Sequence, residues 1–261
     1  MSAKWPLVRG RRRDARERLV VALDVETLAE AEQLVDALRG EVGFFKVGKQ
    51  LFVHAGPEVV RRVIGKGGQV FLDLKFHDIP RTVAKAGIEA ARLGVRMFDV
   101  HASGSGEMMR TTVREVARVC RREAIRRPLI LAVTVLTSLS KSDLKAVGVS
   151  AGVESQVVRL AGLASECGMD GVVASPHEIA SIRKVCGHEF LIVTPGVRMP
   201  TEAWDDQKRV MTPEAAIRAG ADFLVVGKPI RDAADPRQAV RAIVADMQRG
   251  FTAVDRRTAA G

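Results

Sequence analysis

Tyrosine is absent, and aromatic residues make up only 4% of the 261-residue chain. A surface that stacks successive bases of a single strand needs aromatic faces, so such a platform is not evident. Apolar runs of the ~18–20 residues needed to cross a bilayer are also missing. The N-terminus carries charge without an apolar core segment, which argues against a secretory leader. There are three cysteines, Cys120, Cys167 and Cys186, an odd number at spacings that match no metal motif. They read as reduced thiols on helices or in the core, and with no leader they favour a cytoplasmic location. No His–X–X–X–His pair, paired cysteines or acidic calcium loop occurs, so no metal is expected. Nucleotide-cofactor loops are missing too. Gly104-Ser105-Gly106 lacks the third glycine of a dinucleotide turn, since Met109 stands there. Gly65-Lys66-Gly67-Gly68 reads as a helix stop.

What is present begins with charge. The formal net charge is +10, and residues 1–18 supply about half of it with seven basic residues against two acidic ones. This stretch reads as a solvated, disordered basic extension. The basic body suits an anionic substrate such as a phosphate ester, and it leaves a nucleic-acid binder as a remote alternative. With 47% hydrophobic residues the chain belongs to the globular class.

From residue 19 onward, short apolar runs alternate with amphipathic segments. The runs cover residues 19–23, 44–47, 70–74, 97–100, 129–135, 171–174, 190–193 and 223–226. They lack polar alternation, as expected of parallel strands covered on both faces. Helical spacing fills residues 28–38, 83–93, 153–167 and 213–219, each with a glycine close behind as a stop signal. Thr212 and Pro213 form a start signal for the last of these. Eight strand–helix units in one chain predict an α/β fold, a single (β/α)8 TIM barrel over 19–250, with 251–261 as a C-terminal tail. An open doubly wound sheet is the competing architecture, but Val25-Glu26-Thr27 after the first run lacks its glycine-rich turn.

In such a barrel, chemistry sits where the strands end. The strand ends here carry Asp24, Lys46, Asp73 with Lys75, Asp99 with His101, Thr134 or Thr137, Ser175, Thr194 with Arg198, and Gly227 with Lys228. The densest cluster is Asp73-Leu74-Lys75, followed by Asp78. Residues i and i+2 of a strand share a face, so Asp73 and Lys75 project together. Opposite charges in a closed interior are costly unless paired, and such pairs are commonly functional. Each residue has a plainer reading as well. Lys46 snorkels from a strand end; Asp24 caps a helix in competition with Thr27; Asp78 caps the helix that contains Pro80; Asp73 and Lys75 form a structural ion pair; His101 is a satisfied strand-end histidine. After the seventh and eighth strands, Thr194-Pro195-Gly196-Val197-Arg198 and Val226-Gly227-Lys228-Pro229 suit phosphate. Gly227 lets backbone approach a ligand and Arg198 supplies a guanidinium fork. Residues 199–207 between them form a polar loop long enough to act as a lid.

The stretch Asp73-Leu74-Lys75-Phe76-His77-Asp78-Ile79-Pro80-Arg81-Thr82 resembles the signature of the orotidine 5′-phosphate decarboxylases. The resemblance extends to Leu23-Asp24, Phe45-Lys46-Val47-Gly48, Val100-His101-Ala102-Ser103-Gly104, Thr134–Ser138, Thr194–Arg198, Asp205–Arg209 and Val226–Ile230, in order over roughly 19–250. Two departures are Arg81, where the family usually has Asn, and Lys228, where it usually has Arg. The resemblance implies decarboxylation of orotidine 5′-monophosphate to UMP without a cofactor, in a homodimer. It implies that Lys46, Asp73 and Lys75 act in one subunit, and that Asp78 and Thr82 cross to the partner's site. It further implies that Asp24 and Lys46 hold ribose hydroxyls, that Thr137 lies near the pyrimidine, and that Arg198, Gln207, Gly227 and Lys228 grip phosphate. Loss of CO2 from C6 leaves a carbanion with no conjugated sink, and Lys75 is the nearby acid that both attracts the charge and delivers a proton. Asp73 would stand beside the substrate carboxylate, either straining it or organising Lys75. The Mg²⁺-dependent sugar-phosphate decarboxylases and hexulose-phosphate synthases share the Asp–X–Lys–X–X–Asp pattern. They usually place an acid where this chain has Lys46, a cation that repels Mg²⁺.

Overall fold

The computed structural model describes residues 14–198 and 211–259. Its parallel strands are β1 (Leu19–Ala22), β2 (Phe44–Gly48), β3 (Val70–Phe76), β4 (Met97–His101), β5 (Leu129–Val133), β6 (Gly171–Val173), β7 (Leu191–Pro195) and β8 (Phe223–Val226). Each pairs with the next and β8 closes on β1, so the sheet is a closed eight-stranded barrel. The helices around it are α1 (Leu28–Leu38), α2 (Lys49–Ala55), α3 (Glu58–Gly65), α4 (Pro80–Arg92), α5 (Gly106–Arg122), α6 (Lys141–Ala146), α7 (Val153–Glu166), α8 (Ile179–Cys186), α9 (Pro213–Ala219), α10 (Lys228–Arg231) and α11 (Pro236–Ala259). The expected (β/α)8 barrel is therefore the observed fold.

Local chemistry sets the element ends. Thr27 caps α1 in a reciprocal box with Glu30: the Thr27 hydroxyl accepts from the Glu30 N–H while the Glu30 carboxylate accepts from the Thr27 N–H. Asp24 is thereby released from the capping role. Thr212 accepts from the Ala215 N–H at the start of α9, Pro213 holds the first helical position, and Gly220 ends the helix at φ 112°.

Alternate residues of each strand face inward or outward. Val20, Phe44, Phe71, Met97, Leu131, Val193 and Phe223 fill the barrel interior. Val21, Phe45, Leu72, Phe98, Ile130, Ile192 and Leu224 pack outward under the helices. The interior is a layered plug of bulky side chains, with Phe44 and Phe223 meeting edge to face at 5.6 Å. Above this plug the inward positions turn polar: Lys46, Asp73 and Asp99 succeed Phe44, Phe71 and Met97 on the same faces.

Contacts of the described residues cross both expected barrel boundaries. The expected basic extension runs to residue 18; its residues 1–13 lie outside the described residues, while Ala15 is buried and the Arg18 guanidinium lies 5.1 Å over the Phe223 ring. The turn Arg16–Arg18 runs so close to β2 that a Cβ at Gly43 would stand 2.3 Å from the Glu17 carbonyl oxygen. At the other end α11 continues through the expected tail boundary at 250. Gly250 fits against Glu214 and Ile217, and Phe251 is buried. In both places short runs of charge hide single packed residues, which composition does not reveal.

Candidate active site

The cavity at the C-terminal mouth of the barrel measures about 400 Å³, a size suited to a small ligand. It is lined by Asp24, Lys46, Asp73, Lys75, Thr137, Arg198, Gly227 and Lys228, so the fold brings these sequence-derived candidates together from six strand ends.

Charges alternate across its floor. The Lys46 Nζ donates to Asp24 Oδ1 at 3.0 Å and lies 3.3 Å from Asp73 Oδ2. The Lys75 Nζ donates to the other Asp73 oxygen at 2.5 Å. The Lys46 and Asp73 side chains are only 11% and 13% exposed, while Lys75 is 24% exposed and reaches toward the mouth. Snorkelling is thus ruled out for Lys46. Burial opposes its charge, but Asp73 and Asp24 outweigh that cost and its pKa is raised. Burial also opposes ionisation of Asp73. Lys46, the neighbouring Asp99 side chain and Lys75 together outweigh it and hold the carboxyl well below its ordinary range.

The geometry of Lys75 is not that of a regular strand. Its φ is 52°, left-handed backbone that costs a residue with a Cβ roughly 1–2 kcal/mol. In the β3–β4 ladder Leu72 pairs with Phe98 but Phe76 pairs with Val100, so β3 bulges between them. The bulge frees the Lys75 N–H, which donates to Asp99 Oδ1 at 2.8 Å. Asp99 is fully buried on the inner face of β4. Burial, followed by the neighbouring Asp73 charge, raises its pKa well above that of an ordinary carboxyl. His101, two residues on, is pushed down to about 4 by burial and by the nearby His77, Lys75 and Lys49.

Asp78 and Thr82 do not line the cavity. Both are exposed, Asp78 in the β3–α4 connection and Thr82 in the first turn of α4, on either side of Ile79, which is 66% exposed. Asp78 Oδ1 accepts from the Ile79 N–H at 2.6 Å, and no side chain caps α4. The helix-capping reading of Asp78 is therefore corrected: Ile79 holds the cap position, and Pro80 at the first turn removes a donor that a cap would serve. Gln207 lies outside the described residues, as does the proposed lid over 199–207. The residues that flank this stretch are tied together, since Val197 bridges Met211 and the Arg198 N–H donates to the Met211 carbonyl at 3.2 Å.

Gly227 has φ −116°, and a Cβ there would make ordinary contact with Ala22 and Asp24. Neither strain nor internal clash demands glycine at this point of the cavity wall. Sequence reasoning missed Arg231, which also lines the cavity and donates from Nη1 to the Asp24 carbonyl at 2.7 Å while its other nitrogens hold Asp232. Its place one helical turn beyond Gly227 was the only available signal. Among the described residues no cluster of three or more His, Cys, Asp or Glu side chains is arranged to hold a metal ion. Cys120 and Cys167 are buried thiols and Cys186 is half-buried. No described helix is long and apolar enough to cross a membrane.

Known proteins match this chain over nearly its whole length. The model of the orotidine 5′-phosphate decarboxylase / HUMPS family matches residues 17–243. An orotidine 5′-phosphate decarboxylase of Syntrophotalea carbinolica is 56% identical over 234 residues, covering 90% of this chain and 96% of its own. One from Geotalea daltonii is 51% identical over 239 residues, covering 92% and 99%. The crystal structure of orotidine 5′-phosphate decarboxylase from Lactobacillus acidophilus superposes with a TM-score of 0.78 at 35% identity, covering 88% of this chain and 98% of that one. A barrel closed in the same way, a match across almost all of it, and relatives above half identity leave one conclusion: the chain belongs to the orotidine 5′-phosphate decarboxylase / HUMPS family.

Proposed function

We propose that the protein decarboxylates orotidine 5′-monophosphate to UMP in pyrimidine biosynthesis, with Lys75 protonating C6. The observation that carries this reading is the Lys46–Asp73–Lys75 chain of contacts at 3.3 and 2.5 Å, facing a nucleotide-sized cavity. In the reaction the C6–carboxylate bond breaks and CO2 leaves. The electron pair stays on C6 and takes a proton from the Lys75 ammonium. That ammonium, fixed beside Asp73, attracts the developing charge without reorganising, and the apolar plug beneath raises the worth of the attraction. Asp24 and Lys46 bind ribose hydroxyls and Thr137 lies near the pyrimidine. Arg198, Gln207, Gly227 and Lys228 hold the phosphate, far from C6, where binding energy serves to orient the substrate.

The enzyme works as a cytoplasmic homodimer in which Asp78 and Thr82 reach the partner's cavity. Their exposure beside Ile79, outside their own cavity, supports this arrangement. The Mg²⁺-dependent reading gains no support, because Lys46, paired with Asp24 and Asp73, stands where those enzymes usually place an acid.

The test is to mix purified protein with orotidine 5′-monophosphate and a chelator and follow substrate absorbance. Steady loss with release of CO2 is expected. No loss, or loss that the chelator abolishes, would reject the proposal.

A further inference from the structure

Asp99 takes no part in the steps above, yet it is the most deeply buried acid of the cavity region, with no exposed surface. One oxygen accepts the Lys75 N–H at 2.8 Å. The other, Oδ2, is buried and meets no donor among the described residues. The neighbouring polar side chain that acts on Asp99 is the carboxylate of Asp73, itself an acceptor occupied by two lysines. Two neighbouring carboxyl groups resist ionising together. Asp73 has two ammonium groups within 3.3 Å to stabilise its charge, whereas Asp99 accepts only the Lys75 backbone N–H among the described residues, which favours the proton on Asp99. The remaining surroundings agree. Lys75 comes from β3, Lys46 lies beyond Asp73, His101 shares the inner face of β4, and β5 pairs Leu131 and Val133 with Asp99 and His101.

We propose that Asp99 is a positioning residue for Lys75, which as a neutral acid donates to Asp73 and accepts from the Lys75 backbone, locking the left-handed kink that aims the ammonium into the cavity. The inference rests on the reading of Lys75 as proton donor. The kink has φ 52° at a side chain that does not favour it, so something must hold it. The bulge removes the ladder partner that would otherwise take this N–H. Asp99 answers both needs and also orients the carboxylate to which Lys75 is bound. A neutral amide has the same donor and acceptor capacity as a protonated acid; a methyl group has neither.

The test compares Asp99→Asn and Asp99→Ala with the wild type for kcat, KM and thermal unfolding between pH 5 and 8. Asp99→Ala is expected to lose roughly 100-fold in kcat with KM little changed, the scale of a misaimed catalytic group. Asp99→Asn is expected to recover most of that loss. A neutral Asp99 makes the folded wild type bind one more proton than the unfolded chain above about pH 4, so its stability falls with rising pH relative to the Asn variant. The melting temperature of Asp99→Asn should therefore gain on the wild type as pH increases. An Asn variant as inactive as the Ala variant, or a melting difference that does not widen with pH, would overturn the proposal. The melting series needs no turnover, so it decides the matter even if Asp99→Ala fails to fold. A wild type that leaves orotidine 5′-monophosphate untouched would instead defeat the assigned activity.

Discussion

Replacing Asp73 by Asn removes one charge and almost no volume from the centre of the site. Unit charges 2.5 and 3.3 Å apart attract by roughly 5–7 kcal/mol each at an effective dielectric of about 20. Desolvation takes much of this back, and breaking a buried pair by removing one partner costs about 3–5 kcal/mol. The lower end applies here, because Lys46 keeps Asp24 at 3.0 Å and Lys75 is a quarter exposed. About 3 kcal/mol in a domain of this size lowers the melting temperature by roughly 6–12 °C. The sign with pH is fixed by the depressed carboxyl. Asp73 contributes stability above the ordinary carboxyl range and loses it as pH falls from about 4 toward about 2. The gap between wild type and Asp73→Asn is therefore widest near neutrality and closes in acid. Scanning calorimetry at pH 7 and at stepwise lower pH measures it. A shift under about 2 °C at neutrality, against the scale just derived, or a gap that grows as acid is added, would refute the account of Asp73 as the shared counter-ion.

Lys75→Ala is expected to abolish turnover while leaving the far-UV spectrum and the elution volume unchanged; activity within about tenfold of wild type would exclude the proton-donor role, since general acids contribute roughly 10²–10⁴-fold. Inactive Asp78→Ala and Lys75→Ala chains, once mixed and exchanged, are expected to regain one working site per heterodimer. No recovery after exchange verified by mass would count against a shared site. Arg198→Ala should weaken nucleotide monophosphates far more than the corresponding nucleosides, measured by calorimetric titration, and equal losses for both would remove Arg198 from the phosphate site.

The architecture was legible because parallel barrel strands are buried on both faces and so appear as unbroken apolar runs. The site was legible where charge interrupts those runs: Lys46 inside 44–47 and Asp73 inside 70–74 have few structural excuses. Strand alternation also placed Asp73 and Lys75 together correctly, though for an incomplete reason. Lys75 reaches the cavity through a bulge and a left-handed residue, and neither has a sequence signal, since no glycine marks the turn. Asp99 was visible as a strand-end acid, but its bond to the Lys75 backbone depends on the bulge in another strand. Ala15 and Phe251 look like members of polar tails, because the close passage of Glu17 by Gly43 and of Gly250 by Glu214 and Ile217 is a matter of contact between distant segments.

The layered plug of Phe44, Phe71, Met97 and Phe223 under the lysines makes the electrostatics one-sided. Mobile ions approach Lys46 and Lys75 from the C-terminal end of the barrel and not through the plug, and a seated anionic guest would occupy much of that approach. Added salt then slows how often such a guest arrives far more than it hastens departure, and ionic strength becomes a dial on capture with little grip on what has already been captured.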